Sequence, residues 1–402
     1  MFSSLDSIYP LAKVSREDLA NLCDVLWNWR PCTDWAMERT CQKRAESIPC
    51  SCQRAETLTT FFDFYRETTA FYVPELTYNS IPALRTHEDL RGMIQFIKNN
   101  PDDTRLELTQ HYFSHHTTSS SKGLLSNDQN RAFNVAARIM TMLTCSAEGQ
   151  SDGLLETGSQ PTPWRSDQSF NQFSNSAIPR QNPISFESYA SGCPSITLPP
   201  ASITAKRLKK LAKLKITSTN DLRNHLLLDE KDGTVAIYHH TSVLKQHLRA
   251  YQYDGTQGNP DQIADQNVSL PKELIVETLN TLKYVIFPIE PESQSILRSL
   301  VARERFDPDN CRLDASTWKA VEGDNIRYEY WGTRLLRLYD ELENPTPRGF
   351  LESWLERKSG ARYVMLVTLA GVVIAILLGV LGLAVGILQV WISWQQWQHP
   401  VA

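Results

Sequence analysis

Residues 364–388 read VMLVTLAGVVIAILLGVLGLAVGIL, and this stretch decides the architecture of the chain. None of its 25 residues is charged, and sixteen of them are Leu, Ile or Val. The hydrocarbon core of a bilayer is about 30 Å thick, and 25 helical residues that rise about 1.5 Å each extend over about 37 Å. A buried core helix, the alternative interpretation, is seldom this long without a charged residue. We therefore predict one transmembrane helix over residues 363–390.

The charges that flank the span predict its orientation. Residues 389–402 contain no Lys or Arg, whereas the segment just before the span contains Arg348, Arg357, Lys358 and Arg362. Basic residues are preferentially retained on the cytosolic side of a membrane. We therefore expect the bulk of the chain in the cytosol and residues 391–402 as a short lumenal or external tail.

The first residues, MFSSLDSIYPLAKV, bear on the route of insertion. They have neither a basic n-region nor an apolar h-region, so we expect no signal peptide and insertion after synthesis, as in tail-anchored proteins. An ordinary single-pass protein of the opposite orientation is the alternative. Because the span is long and strongly apolar and its tail carries no basic residue, we expect membranes of the endoplasmic reticulum or secretory route rather than mitochondria.

Hydrophobic periodicity predicts a mainly α-helical fold with a small β-hairpin element near Thr234–Tyr238. Ser15 to Asp18 has the form of a capping box, and Asn130–Leu143 has the clearest apolar helix face. Residues 146–200 are rich in Ser, Gly, Pro, Gln and Asn, which is typical of a linker. The predicted organisation is a helical region 1–145, a linker 146–200, a mainly helical domain 201–345, a juxtamembrane segment 346–362, the transmembrane helix 363–390 and the tail 391–402.

A basic amphipathic helix is predicted over residues 204–215, with an apolar side that includes Leu208 and Leu211. Its cations are Lys206, Arg207, Lys209, Lys210, Lys213 and Lys215. Three interpretations remain open: a solvated face of a domain buried on its other side, contact with anionic lipid headgroups, and nucleic acid binding. A cation near an anionic leaflet contributes roughly 1 kcal/mol. Nucleic acid is disfavoured because the net charge is −4 and the next predicted helix offers only Arg223 to read bases.

Small residues recur every three or four positions within the span. They are Gly371, Ala375, Gly379, Gly382 and Gly386. Such a face allows two helix backbones to approach closely in lipid, so we expect self-association or pairing with another anchor. The alternative is that glycine is simply frequent in transmembrane helices.

Cysteines are concentrated near the amino terminus, at positions 23, 32, 41, 50 and 52. The first four are spaced by nine residues, which is unlike the short C-x2-4-C pairs of zinc sites, and on one helix alternate members would face opposite ways. We interpret them as small buried side chains, reduced in the cytosol, rather than as a metal or disulfide cluster.

Two groups of histidines were also weighed as metal ligands. Glu107, His111 and His115 fall at i, i+4 and i+8 on a predicted helix, but a polar helix face is the preferred interpretation. For His225, His239, His240 and His247 we expect packing and hydrogen bonding, since adjacent histidines on an extended segment point to opposite faces. We predict no metal and no cofactor.

Sequence signatures of catalysis are absent. The chain has no G-x-S-x-G, no G-x-x-x-x-G-K-[ST], no G-x-G-x-x-G after a strand, no H-E-x-x-H and no protein-kinase set. Catalytic groups can be assembled without a motif, so enzyme activity is disfavoured rather than excluded. We assign no catalytic residue.

Several segments of the second half form a recognisable signature: TAKRLKKLAKL, DLRNHLLLD, YHHTSVLKQHL, YDELENPTPRGFLESWLERKSGARYVM and WQQWQHP. Together they resemble a large filamentous-fungal (ascomycete) family of C-terminally membrane-anchored, functionally uncharacterised proteins. The resemblance covers mainly residues 200–402, with a weaker similarity at residues 128–131 and 164–173. It implies membrane attachment but no activity, catalytic residue or ligand.

Taken together, these patterns predict a single-pass membrane protein with a helical cytosolic module that acts through binding, as an adaptor or recognition surface. Its expected partners are the lipid bilayer, a second copy through the transmembrane helix, and proteins whose identity the sequence does not define. A membrane-tethered enzyme is the first alternative, and a nucleic-acid-binding domain held at a membrane is the second.

Overall fold

Capping boxes start several of the helices, and they explain where these helices begin. In the first, Ser15 Oγ accepts a hydrogen bond from the Asp18 N–H at 3.1 Å, and the Asp18 carboxylate accepts one from the Ser15 N–H, also at 3.1 Å. Each partner satisfies an amide that the first helical turn leaves without an acceptor. The same reciprocal pair precedes Arg16–Trp27, His87–Asn99 and Phe170–Ala177.

The structure is a computed structural model. It describes residues 9–39, 41, 50–74, 81–116, 126–147, 160–181, 184–185, 203–254, 269–312, 327–346 and 362–398. The chain divides into two units, Met1–Pro345 and Thr346–Ala402. The described residues are mainly helical with small sheets, which confirms the predicted fold class.

Helices dominate the first part of the larger unit. They are α1 (Arg16–Trp27), α2 (Thr33–Ala36), α3 (Ser51–Glu56), α4 (Thr59–Ala70), α5 (His87–Asn99), α6 (Arg105–His116) and α7 (Ser126–Thr141). Their apolar faces meet in one hydrophobic core, in which Phe61, Ile94 and Phe133 are fully buried. This part therefore forms as the hydrophobic periodicity predicts, because each of the longer helices has one apolar face to bury.

Part of the predicted linker belongs to the same core. Strands β1 (Cys145–Ala147) and β2 (Thr162–Trp164) pair in parallel, and helix α8 (Phe170–Ala177) follows. Trp164 is fully buried and stacks on Phe173, with ring centroids 5.5 Å apart. This differs from the expectation of isolated aromatic residues in a linker, because residues far apart in sequence surround each ring and make one cluster.

The second part of this unit contains a two-stranded and a three-stranded sheet. In the two-stranded sheet, β3 (Ile184–Ser185) pairs with β7 (Arg327–Tyr328). Helix α9 (Ala205–Lys210) leads to β4 (Lys215–Thr219), which pairs in parallel with β6 (Thr234–Tyr238), and β5 (Leu227–Asp229) pairs with β6 as the predicted hairpin. The three-stranded sheet consists of β4, β5 and β6. The remaining α-helices in the described part of this unit are α10 (Thr241–Asp254), α11 (Lys272–Asn280), α12 (Pro291–Arg303) and α13 (Gly332–Glu343). A π-helical segment, Thr281–Ile286, directly continues α11, and short 3-10 helices cover Leu222–Asn224 and Pro308–Cys311.

The basic helix is shorter than predicted. It ends after Lys210, and Lys213 adopts a left-handed backbone conformation with φ of 54°. Lys215 then begins strand β4. The six cations therefore lie on a helix, a turn and a strand, because Leu214 is buried just before β4 and Ile216 within it rather than on a continued helix face.

The second unit contains one long helix, α14 (Arg362–Gln398). Residues Thr368–Gln395 of this helix are long and apolar enough to cross a membrane, and none of the apolar window is buried against protein. Trp394 and Trp397 lie at its carboxyl end with ring centroids 6.3 Å apart, as is common at a membrane interface.

Candidate functional site

Four cysteines converge in the amino-terminal part of the larger unit. The Sγ atoms of Cys32, Cys41, Cys50 and Cys52 all lie within 4.8 Å of one another. The Cys32 and Cys41 sulfurs are 3.7 Å apart, and those of Cys41 and Cys50 are 3.4 Å apart. All four are free thiols. Among the described residues, this is the group whose arrangement can hold a metal ion.

The backbone explains why sequence spacing did not reveal this group. The prediction that alternate cysteines face opposite ways assumed one continuous helix, and that assumption is wrong. Helix α1 ends at Trp27, where Asn28 adopts a left-handed conformation with φ of 55° and donates its N–H to the Asp24 carbonyl at 2.8 Å. Cys32 and Cys50 then take the positions just before α2 and α3, and Cys52 lies in the first turn of α3.

The environment of the four thiols is uneven. Cys52 is 2% exposed, and burial raises the pKa of its thiol to about 12. Cys50 makes no capping hydrogen bond, but the nearby amide N–H of Cys52 lowers the pKa of the Cys50 thiol to about 7. Burial raises the pKa of Cys32.

A cleft of about 460 Å³ adjoins the cysteines. Cys41 and Cys52 form part of its wall, and the Arg16 guanidinium lies over the Trp35 ring at 5.6 Å from its centroid. The charged residues of the wall are Arg16, Arg39, Arg66, Glu38 and Glu56, so the cations exceed the acids by one. The cysteine group thus lies beside an open, mildly cationic surface.

In the first histidine group, Glu107 has its hydrogen-bond partners at the start of its own helix. The Glu107 carboxylate accepts hydrogen bonds from the N–H and the hydroxyl of Thr104, at 2.9 and 2.8 Å, and so caps α6. His111 is exposed on the same helix. The side chain of His115 lies outside the described residues. The structure therefore gives Glu107 a local structural role.

The second histidine group is buried. His239 and His240 stack at 4.1 Å between ring centroids, and a nitrogen of each lies within hydrogen-bond distance of Asn220 Oδ1, at 3.2 and 2.8 Å. The expectation that adjacent histidines cannot face one site is wrong here. Both residues lie between β6 and α10, outside the extended strand, so side-chain alternation does not apply to them.

Acidic groups in this interior were not found from the sequence. Asp307 accepts two hydrogen bonds from Ser242, from its N–H at 2.9 Å and its hydroxyl at 2.6 Å, and burial raises the pKa of Asp307 to about 6. The Glu277 carboxylate accepts the amide N–H groups of residues 329–331. Burial raises its pKa to about 7 in spite of these donors. Both acids orient neighbouring backbone, and no local motif signals such long-range partners.

The basic stretch presents its cations on one side and packs its other side into the core. Leu208, Ala212 and Leu214 are buried, as predicted, whereas Leu211 is 50% exposed. The cations Lys209, Lys210, Lys213 and Lys215 are exposed. Glu292 of α12 pairs with the first and last lysines of α9, at 2.9 Å from Lys206 and 3.1 Å from Lys210.

Arg223 is held within the protein. Its guanidinium contacts the Asp221 carboxylate at 2.7 Å, and it donates to the Gln160 carbonyl at 3.0 Å and the Thr162 hydroxyl at 2.6 Å. The side chain is only 15% exposed. The donors that a base-reading arginine would present to nucleic acid are therefore used internally.

The small residues of the span all lie on α14. A Cβ built on Gly371, Gly379, Gly382 or Gly386 would meet nothing within 4 Å. Successive residues of a helix are about 100° apart, so these glycines and Ala375 share one face.

Comparisons with known proteins provide no relative for this chain. No protein-family model, curated protein or solved structure matches it. The resemblance to a filamentous-fungal family stays a prediction that depends on the quoted motifs.

Proposed function

We propose that this protein is a tail-anchored, single-pass membrane protein whose larger unit faces the cytosol and acts through binding, as an adaptor or recognition module. The observation that carries the proposal is the contrast between the two units. Met1–Pro345 buries its own apolar side chains, whereas the apolar window of Thr368–Gln395 has no side chain covered by protein. A helix that exposes so much apolar surface requires lipid around it.

Binding rather than catalysis is supported by where the titratable groups lie. In the described part of the chain, the histidines with lowered pKa values and the acids with raised ones are turned into the interior. They bond to backbone or to neighbouring side chains rather than lining an open cleft. Active sites usually place such groups where substrate can reach them.

The first alternative, a membrane-tethered enzyme, has one observation in its favour. The cleft beside Cys41 and Cys52 is open and contains several charged groups. A purified protein that converts a substrate, and loses that activity when Arg39 becomes Gln, would favour this alternative. The internal engagement of Arg223 weighs against the second alternative, nucleic acid binding.

Topology is tested with a glycosylation acceptor appended after Ala402. The proposal expects glycosylation of the appended site, because the positive-inside bias places the tail in the lumen. A version with the acceptor Asn changed to Gln is the control. Glycosylation at native Asn267, which lies outside the described residues, would show the reverse orientation.

The adaptor role and the membrane are tested together by proximity labelling from the amino terminus in living cells. Recovery of a reproducible set of cytosolic proteins, along with residents of the endoplasmic reticulum, supports both parts of the proposal. Labelling confined to lumenal proteins contradicts the cytosolic orientation. Steady labelling of the mitochondrial surface contradicts the expected membrane.

A further inference from the structure

We propose that Cys32, Cys41, Cys50 and Cys52 together bind one zinc ion in a tetrahedral site that fixes the segment between α1 and α4. The inference depends on the geometry of the cysteine group and not on the proposed membrane topology or adaptor role. Zinc content is measured on purified protein, so failure of one proposal is distinguishable from failure of the other.

The distances between the sulfurs fit this metal. A zinc–sulfur bond of about 2.3 Å places the four sulfurs of a regular tetrahedron about 3.8 Å apart. The sulfur–sulfur separations of 3.7 Å for Cys32 with Cys41 and 3.4 Å for Cys41 with Cys50 are close to that edge. No pair exceeds 4.8 Å, so adjustments of about 1 Å or less complete the site.

The ligand set specifies the type of site. Four thiolates supply all four positions of a tetrahedral zinc ion and leave none for water or substrate, which is typical of structural rather than catalytic zinc. Soft sulfur donors in a tetrahedron select zinc or iron over magnesium and calcium. All four sulfurs are mutually close, so the geometry indicates one shared centre and not two separate cysteine pairs.

The charge of the surroundings is compatible with such a centre. Zinc with four thiolates carries a net charge of about −2. Arg16, Arg39 and Arg66 belong to the wall of the cleft that Cys41 and Cys52 also line. Acids lie close to two of these cations, since Glu38 is 3.8 Å from Arg16 and Asp63 is 2.8 Å from Arg66. The cleft therefore offers cations beside the centre without a large net charge of its own.

The site would also link separate elements of the local fold. Cys32 directly precedes the four-residue helix α2, in which Ala36 is the buried residue. Cys50 and Cys52 lie at the start of α3, in which Cys52 and Ala55 are buried. One ion bound by all four sulfurs would therefore hold α2, Cys41 and α3 together, because metal ligation couples directly to folding.

The test measures metal in the full chain, purified in detergent with a mild reductant and without chelator. Mass spectrometry of the elements is expected to find about one zinc per chain. Changing any one of the four cysteines to serine should reduce that content to near zero, because a neutral hydroxyl is a poor zinc ligand. Cys145→Ser is the matched control: Cys145 is buried, lies outside the group and donates to the Asn134 carbonyl, so zinc content should be unchanged.

A serine variant could lose zinc simply because it does not fold, and a second variant separates the two causes. Cys41 is only half-buried, and histidine is itself a zinc ligand, so Cys41→His should retain zinc where Cys41→Ser does not. Cobalt(II) added to metal-free protein should give the absorption of a tetrahedral thiolate site in the wild type and in Cys145→Ser. A chelator should lower the melting temperature of both.

Four results would overturn the zinc site. They are wild-type protein without zinc when made in zinc-supplied cells, iron with visible absorption in place of zinc, disulfides among these cysteines in freshly isolated protein, and zinc content that the serine variants leave unchanged.

Discussion

Lys245 of α10 and Asp309 form an ion pair in the protein interior, with Lys245 Nζ 2.7 Å from Asp309 Oδ2 and both side chains at most 6% exposed. Desolvating two charges is costly, so such a pair need not add net stability, but the loss of one partner leaves the other charge buried. The pair therefore provides a sharp test of the described interior.

We expect Asp309→Ala to lower the free energy of unfolding by about 3–5 kcal/mol, because it removes one partner of a buried ion pair. The double variant Lys245→Met with Asp309→Leu should recover most of this loss. Thermal or denaturant unfolding followed by tryptophan fluorescence provides the measurement. Equal losses in the single and double variants would contradict the buried pairing.

The aromatic cluster around Trp164 is expected to contribute strongly to stability. Trp164→Ala should cost about 3–5 kcal/mol, since the ring is fully buried, contacts Phe173 and donates its Nε1–H to the Gln168 carbonyl at 3.0 Å. Phe71→Ala is the matched control, because Phe71 is 73% exposed and its loss should change stability by at most about 0.5 kcal/mol. Similar small effects of both variants would show that residues 160–181 do not belong to the core.

Acid should destabilise the larger unit. Burial lowers the pKa of His87 and of the four histidines of the second group, to about 3 for two of the four, so the unfolded chain binds more protons below the ordinary histidine pKa of 6.5. Each such histidine makes stability fall by up to about 1.4 kcal/mol per pH unit as the pH decreases from 6.5 toward 3. The four are His225, His239, His240 and His247.

Two buried acids act in the opposite sense. Burial raises the pKa of Glu277 to about 7 and that of Asp307 to about 6, so both acids bind protons more tightly in the folded state. The stability that this adds is fully present near pH 4 and is lost as the pH rises through these two values. Four histidines outnumber two acids, so the net expectation is falling stability from pH 6.5 to 4. His247→Gln should make this dependence on pH weaker, because unfolding of the variant takes up about one proton fewer in this window. Stability that is flat or rises over this window would contradict the described burial.

Self-association of the anchor is expected to depend on its small-residue face. Changing Gly379, Gly382 and Gly386 to Leu should weaken association while preserving insertion, because leucine blocks close helix approach but increases apolarity. Val373, Val380 and Ala384 lie on the opposite face of α14, and the matched control changes these three residues to Leu. A two-hybrid assay within a membrane compares the two triple variants. Equal association would show that the glycines are incidental.

Anionic lipid contact by the basic stretch is expected to be limited by Glu292. Residues 1–345 should sediment with vesicles rich in anionic lipid, less so at high salt, and much less when Lys206, Arg207, Lys209 and Lys210 become Gln. Glu292→Gln should strengthen binding, since it removes the negative charge that pairs with two of these lysines.

The control for the lipid experiment neutralises four exposed cations elsewhere on the unit, Arg66, Arg85, Lys231 and Lys272. This variant has the same net charge as the first and should bind vesicles better than it does. If the unmodified protein ignores anionic vesicles even at low salt, the basic stretch is a solvated surface.

The sequence by itself predicted the features that depend on the residues of one short segment. The span is recognisable from residues 364–388 because length and apolarity alone determine whether a helix can cross a bilayer. Helix α1 is recognisable from Ser15 and Asp18 because a capping box involves residues only three positions apart. The small hairpin that contains β6 follows from local turn and strand propensities for the same reason.

Only the tertiary structure could decide the features that depend on residues distant in sequence. Cys32 and Cys52 meet because Asn28 ends α1 and redirects the chain, and no spacing rule predicts that path. Trp164 lies in the core because Phe133 of α7 and Phe173 of α8 pack against its ring. In each case the deciding contacts are non-local, and local periodicity contains no information about which distant side chains will surround a residue.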